Sequence, residues 1–479
     1  MRTVLIGLLL TGCGNPSSGE DTDSSDTNDS TDTNFPAGEL VAFPGAEGFG
    51  AYTTGGRGGD VCIVENLNAD GPGSLADCLG QTGARTVVFH VSGSIPGPIT
   101  IVGGDLTIAG QTSPNGIVVE GGLVCDNVYE ANDCNNVVIR HLRSRTGGDG
   151  MRLGGAQNVI LDHVSLGNAT DENLEISRSM NITVQYSVIA EPVGDHYHWG
   201  GLLMNYSTQT LPLDNISIHH TMWNGVYGRL PEMTCEENGD AEGTNCSGHT
   251  LHIELTNNLL FDVYDPIWYN RCTTNNDGNY CEPSENDFFL AMNWVNNVAH
   301  KRSTADTPML EPAVTDGLNN DLYFTGNEAY FGDSASTYAP DMDSRAERHG
   351  FPEVTVIETS DLADFLSDNV GAFPRDAMDA RLVGYLSESV DDRTPAWANE
   401  QGIDQGDAVT IADEVHAVQD QDSDGMPDAW ESAHNLDPEA ADGATTSLGD
   451  AGGDGIEGCT EGYTNLECYL NELAASLQP

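Results

Sequence analysis

Five acidic side chains in the stretch DQDSDGMPDAWE have the spacing that holds a single cation. Asp420, Asp422, Asp424, Asp428 and Glu431 occupy positions 1, 3, 5, 9 and 12, with Gly425 at position 6 for a sharp turn. Hard divalent cations take oxygen ligands, and a twelve-residue loop of this pattern supplies them to calcium. A second copy, at 449–473, is disturbed. Asp450, Asp454 and Asn465 fit it, but IEGCTEG intervenes and Cys468 stands where a glutamate would close the loop. A Cys459–Cys468 bridge would hold that copy mechanically. Elsewhere Asp162 and His163 have the residue types of an acid–base pair.

The chain must place such residues on a scaffold, and four aligned lines reveal one. They read NVVIRHLRSR (136–145), NVILDHVSLG (158–167), NITVQYSVIA (181–190) and NISIHHTMWN (215–224). Their first residues are 22, 23 and 34 positions apart. The second and fourth positions are aliphatic in every line, which is the period of a strand with one buried face. The sixth position is a flat ring every time: His141, His163, Tyr186 and His220. His163 is therefore expected to be one step of an internal stack, with Asp162 in a structural hydrogen-bond network. Repeats of about 20 to 25 residues with one short strand each predict a solenoid. No helical period occurs in the lines, so the fold class is all-β, a parallel β-helix in which like residues stack. The longer step before Asn215 implies an inserted loop, the usual carrier of function on a solenoid face.

The chain of 479 residues carries 75 acidic and 17 basic side chains, a formal charge of -58. Sixteen of the basic residues are arginine, and Lys301 is the single lysine. Such a surface repels nucleic acid, which excludes that partner class. The same balance occurs on proteins adapted to high salt, and an arginine-rich codon bias explains the scarcity of lysine equally well.

The opening MRTVLIGLLLTGC has a positive charge, a short apolar run and a Leu-Thr-Gly-Cys ending. It is too short to span a bilayer. It resembles a lipoprotein signal over residues 1–12, with Cys13 as the lipidated residue. Residues 13–36 have no apolar period and read as a solvated tether. The expected location is exported: an outer-membrane lipoprotein at the cell surface, or a secreted protein, with a membrane contact only through the lipid. The other ten cysteines fall into close pairs: Cys62/Cys78, Cys125/Cys134, Cys235/Cys246, Cys272/Cys281 and Cys459/Cys468. Local disulfides in an oxidising compartment fit better than metal sites, because no CxxC spacing occurs.

Four ordered segments carry a family resemblance. AFPGAEGFGAYTTGGRGGDVCIVENLNADGPGSL (42–75) resembles the opening of secreted bacterial pectate lyases of polysaccharide lyase family 1. NVILDHVSLGNATDENLEI (158–176) is similar to that family's "WIDH" line, SIHHTMWNGVYGRLP (217–231) to its "HHN…RNP" line, and DNVGAFPRDAMDARLV (368–383) to a stretch near the domain's end. The resemblance spans roughly residues 40–400. It implies a right-handed β-helix that cleaves polygalacturonate by β-elimination, with calcium at the uronate carboxylate.

Carried over residue by residue, the resemblance implies Asp149, Asp171 and Glu175 as calcium ligands and Arg229 as the base. Arginine ordinarily stays charged, so a second role is open: stabilising the carbanion while water or hydroxide takes the proton. The chain departs from the family at Gly147, where many members have another acid. It also lacks the substrate-gripping lysine, and Thr234 stands in place of a second arginine. His198 and Trp199 in GDHYHWGGLLM, and Arg271 from a later loop, are the candidates to bind substrate instead.

The tail from 401 to 479 holds eighteen acidic residues and no lysine or arginine. It resembles the dockerin-like, EF-hand-like calcium modules that end many secreted polysaccharidases. The expected organisation is therefore a β-helix over 37–400 and a calcium module over 401–479. The expected function is a monomeric, calcium-dependent lyase acting on acidic plant or algal polysaccharide. The alternatives are a non-catalytic β-helix surface protein that binds such a polysaccharide, and a lyase for methylated pectin or another uronan.

Overall fold

The computed structural model describes residues 40–127, 134–194, 197–208, 210–233, 249–265, 267–269, 288–303, 309–311, 321–338, 344–393 and 411–478. Cys13, Cys235, Cys246, Arg271, Cys272 and Cys281 lie outside them. The described strands form three long sheets of ten, eleven and eight members. One turn of the coil runs through Asn135–Arg140 in the first sheet, Leu142–Arg145 in the second and Met151–Gly154 in the third. The next turn re-enters the first sheet at Gln157–Asp162, paired in parallel with the strand before it. This is a parallel β-helix.

The register is the one the alternation predicts. Val137, Val159, Ile182 and Ile216 are partners across the first sheet, as are Ile139, Leu161, Val184 and Ile218. All eight belong to one buried core. Each such side chain contributes about 1.5–3 kcal/mol by leaving water. At the corner between the first and second sheets, His141, His163, Tyr186 and His220 take the left-handed backbone, with φ from 47° to 53°. Their rings stack with centroids 4.8, 5.2 and 5.0 Å apart. Asp162 lies 2.9 Å from Arg140 Nε and accepts from Gln185 at 2.8 Å. The expected structural network around His163 is therefore present.

Extra segments cover the outer faces. Residues 41–56 cross the first sheet, where Gly50 N donates to Thr183 Oγ1 at 2.8 Å. A Cβ on Gly50 would sit 2.5 Å from the Val159 carbonyl oxygen, so this crossing requires glycine. Helices Thr359–Asn369 and Ala377–Gly384 pack Leu362, Leu366, Met378 and Leu382 on Val188, Met222 and Phe261 of the second sheet. Beneath them Arg143 and Arg145 are buried and faced by Asp376 and Asp379, with Arg145 Nη2 2.8 Å from Asp379.

The acidic tail packs against the same β-helix. Its short strand Glu414–Val415 pairs antiparallel with the edge strand Val91–Pro96. Its last helix, Asn465–Leu477, buries Leu466 and Leu470 with Met426 and Ala109. Arg57 Nε lies 2.7 Å from Glu467 on that helix. Disulfides join Cys62–Cys78, Cys125–Cys134 and Cys459–Cys468. No helix among the described residues is long and apolar enough to cross a membrane.

Candidate active site

Loops that lead from the second sheet to the third stack on successive turns. The first contains Asp149, the next Asp171 and Glu172, the next His198 and Trp199, and the next Tyr227 and Arg229. Stacked turns are about 4.8 Å apart, so neighbouring loops share one site. Asp149, Asp171 and Glu172 each offer a carboxylate oxygen within 4.8 Å of the others. The donors are hard oxygens, the type that calcium selects. Burial first, and then the charge of Asp171, pushes the Asp149 carboxyl up to about 6. The trio thus favours a bound positive charge, which suits the implied ion.

Glu175 stands just outside that trio. It belongs to the strand Leu174–Ser177, on the row Arg152, Glu175, Leu203, Glu232 of the third sheet. Its carboxylate is 3.2 Å from Arg152 Nε. Burial raises its pKa, and Arg152 opposes that rise. Asp149 also acts on it through space, so Glu175 borders the cluster. Gly147 explains the missing fourth acid. Its φ is +89°, and a Cβ there would lie 2.3 Å from the Gly121 Cα.

Arg229 links the trio to the row. Its Nη1 is in contact with Glu172, and its Nε is 2.9 Å from Glu232, a buried residue at the start of the strand Glu232–Met233. Its guanidinium carbon is 5.9 Å from the Trp199 ring centroid. Trp199 is exposed at 39%, and Tyr264 on the following loop at 42%. Tyr227 stacks on Tyr264 at 4.4 Å and meets His198 edge-on at 4.5 Å. His198 and Trp199 therefore lie on the loop beside Arg229, and two tyrosines extend that surface. In the tail, Asp420, Asp422 and Asp424 form one cluster, and Asp424, Glu431 and Asp442 a second that shares Asp424. Asp428 instead accepts from the Gln421 backbone N–H at 2.8 Å.

No family model matches the chain. Among proteins of known name, it is 31% identical over 452 residues to "Probable pectate lyase C" of Emericella nidulans, covering 91% of this chain and 93% of that protein. It is 30% identical over 450 residues to the protein of the same name from Aspergillus flavus, covering 91% and 95%. The chain belongs to the pectate lyase family. It is thus a polysaccharide lyase by family. Among solved structures, a thermostable pectate lyase has a TM-score of 0.48 at 14% identity, covering 70% of this chain and 99% of the other. A pectate lyase bound to a hexasaccharide has 0.47 at 12%, covering 70% and 99%.

In this lyase Lys301 is fully buried at the end of the strand Val298–Lys301, with Nζ 5.7 Å from the Phe331 ring centroid. The chain's one lysine is therefore not at the site. Sequence reasoning missed Glu172, Glu232, Tyr227 and Tyr264. Glu172 had a signal in its place beside Asp171, and Glu232 in its place three residues after Arg229. Both are obvious only once the strand boundaries are known.

Proposed function

We propose that this chain is a calcium-dependent pectate lyase that cleaves polygalacturonate by β-elimination at the Asp149–Arg229 site. The observation that supports it most is one guanidinium held against a carboxylate trio on stacked loops. Asp149, Asp171 and Glu172, with Glu175 at their border, would hold the cation. The ion, when bound, neutralises a uronate carboxylate and so acidifies the proton at C5. Arg229 would lie beside the reacting carbon: as a neutral guanidine it would take the C5 proton, and as the guanidinium held between Glu172 and Glu232 it would stabilise the charge that develops as solvent takes it. Glu232 orients the guanidinium. The electron pair of the broken C5–H bond then forms the double bond between C4 and C5, the bond from C4 to its oxygen breaks, and that oxygen leaves with a proton from water. His198 and Trp199 would contact the sugar rings, with Tyr227 and Tyr264 beside them. Arg271 remains a candidate for the same task.

Calcium also answers a charge problem. A polyanion must approach a chain of formal charge -58, and bridging cations lower that repulsion. The test is incubation with polygalacturonate, with and without calcium, followed by ultraviolet absorbance of the unsaturated product. Growth of absorbance only with calcium supports the reading. Binding without absorbance supports a non-catalytic binding protein instead.

The aromatic surface of Trp199, Tyr227 and Tyr264 beside Arg229 favours one further reading: action on methylated pectin. Comparing rates on methylated and unmethylated substrate separates the two. We further propose export with a lipid on Cys13, because a short apolar run precedes Leu-Thr-Gly-Cys. Cys13→Ser should move the protein from the membrane fraction to the soluble one, and unchanged fractionation would contradict this.

A further inference from the structure

The tail contains charged groups that the lyase reaction does not use. Asp420, Asp422 and Asp424 bring carboxylate oxygens within 4.8 Å of one another, and so do Asp424, Glu431 and Asp442. Glu431 is fully buried, and neither of its carboxylate oxygens has a hydrogen-bond partner. Asp422 Oδ2 is buried and equally without a partner. Buried polar groups are normally satisfied, and a buried carboxylate facing other carboxylates is the least favourable exception. Among the described residues no ion pair reaches any of these five acids, and residues 401–479 contain no lysine or arginine.

We propose that Asp420, Asp422, Asp424, Glu431 and Asp442 bind a divalent cation, and that this ion latches the tail onto the first sheet of the β-helix. The site is separate from the one at Asp149 and does not depend on the lyase reading. Its donors are all carboxylate oxygens, with no imidazole or thiolate, so it selects a hard cation. Five irregularly placed acids suit calcium better than the strict octahedron of magnesium.

Asp442 is the feature that makes the site a latch. It lies outside the twelve-residue loop and comes to it through the backbone. The N–H groups of Asp442 and Gly443 donate to Asp424 Oδ2 at 3.0 and 2.7 Å. Asn465 Nδ2 donates to Asp442 Oδ1 at 3.0 Å, and Asn465 begins the last helix. That helix carries the contacts to the scaffold: Glu467 to Arg57, Asn471 to Arg140, and Leu466 and Leu470 to Ala109. Met426, inside the cation loop, is fully buried in the same seam. One ion would therefore tie the loop, the 442–443 segment and the docking helix together.

The test uses the full chain carrying Asp149→Asn and Asp171→Asn, so that the other site is removed. Calorimetry with calcium chloride should show one binding event, and calcium should raise Tm by at least about 2 °C. Magnesium should do less. Adding Glu431→Gln should abolish both effects. Without calcium this variant should melt no lower than its parent, since it loses a buried unpartnered charge, and that result excludes misfolding. Hydrogen exchange over 465–477 should slow when calcium is added. Absence of calcium binding in the first variant, or unchanged binding after Glu431→Gln, would overturn the site. Binding with no change in exchange over 465–477 would overturn the latch.

Discussion

Arg229 Nε lies 2.9 Å from a Glu232 carboxylate oxygen, while Nη1 of the same guanidinium meets Glu172. The two carboxylates come from different turns of the coil and aim one cation from both sides. Glu232 is buried on the third sheet, so it is the fixed partner. Glu232→Gln should lower kcat by about tenfold through loss of orientation, with KM little changed. A variant that alters KM alone would show that Glu232 acts on substrate binding and not on Arg229.

Protons should compete with calcium at the proposed site of Asp149, Asp171 and Glu172. The Asp149 carboxyl titrates near 6, raised by burial first and Asp171 second, with Arg152 and Arg229 opposing. Its charged form is therefore lost as pH falls through 6, and ligands must be deprotonated to bind. The apparent calcium affinity of this site should weaken by about tenfold between pH 7 and pH 5. Calorimetry on a chain carrying Glu431→Gln isolates this site, and a pH-independent affinity would contradict the assignment of Asp149.

The buried ions under the two helices should be essential for stability. Arg143 and Arg145 are fully buried against Asp376 and Asp379. Burial first, opposed by Asp379 and Asp376, lowers the Arg143 pKa. Asp379→Ala leaves both guanidinium groups short of a counter-charge in a dry setting. The cost should be about 3–5 kcal/mol in urea denaturation. A loss under about 1 kcal/mol would mean that water reaches the pair.

Asp162 should reveal its structural role through acid. Burial pushes its pKa up, but His163 and Arg140 outweigh that and hold it well below the usual carboxylate range. A depressed carboxylate stabilises the fold above its unfolded pKa, near 4, and that contribution is lost as pH falls further. The stability gap between parent and Asp162→Asn should therefore be wide at pH 7 and shrink towards pH 3. Calcium-stimulated cleavage should survive the change, whereas its loss in a folded variant would make the pair catalytic.

Much of the scaffold was legible because the coil repeats itself. Asparagine, aliphatic, aliphatic and ring recur at fixed offsets, and the register follows them from Val137 to Ile216. The site was harder. Asp171, Glu172 and Glu175 lie within six residues, and sequence spacing alone does not say where the loop ends. The strand begins at Leu174, so Glu175 projects beside Arg152 while Glu172 stays in the loop with Asp149. The tail shows the same limit. Its twelve-residue loop was visible, but Asp442 joins it through backbone bonds that no motif encodes. Docking by Arg57 and Glu467 spans 410 positions, beyond the reach of any local pattern.

Arg229 is proposed to act directly in the elimination, as base or as the stabiliser of the developing charge. This role is tested most directly by the initial rate of unsaturated-product absorbance from polygalacturonate, at saturating calcium, for Arg229→Lys against the parent. Lysine keeps the charge but cannot reproduce the planar fork between Glu172 and Glu232. The rate should fall by a factor of about 10²–10⁴, with calcium still bound at both sites. A rate close to the parent's would show that the guanidinium has no special part in the reaction.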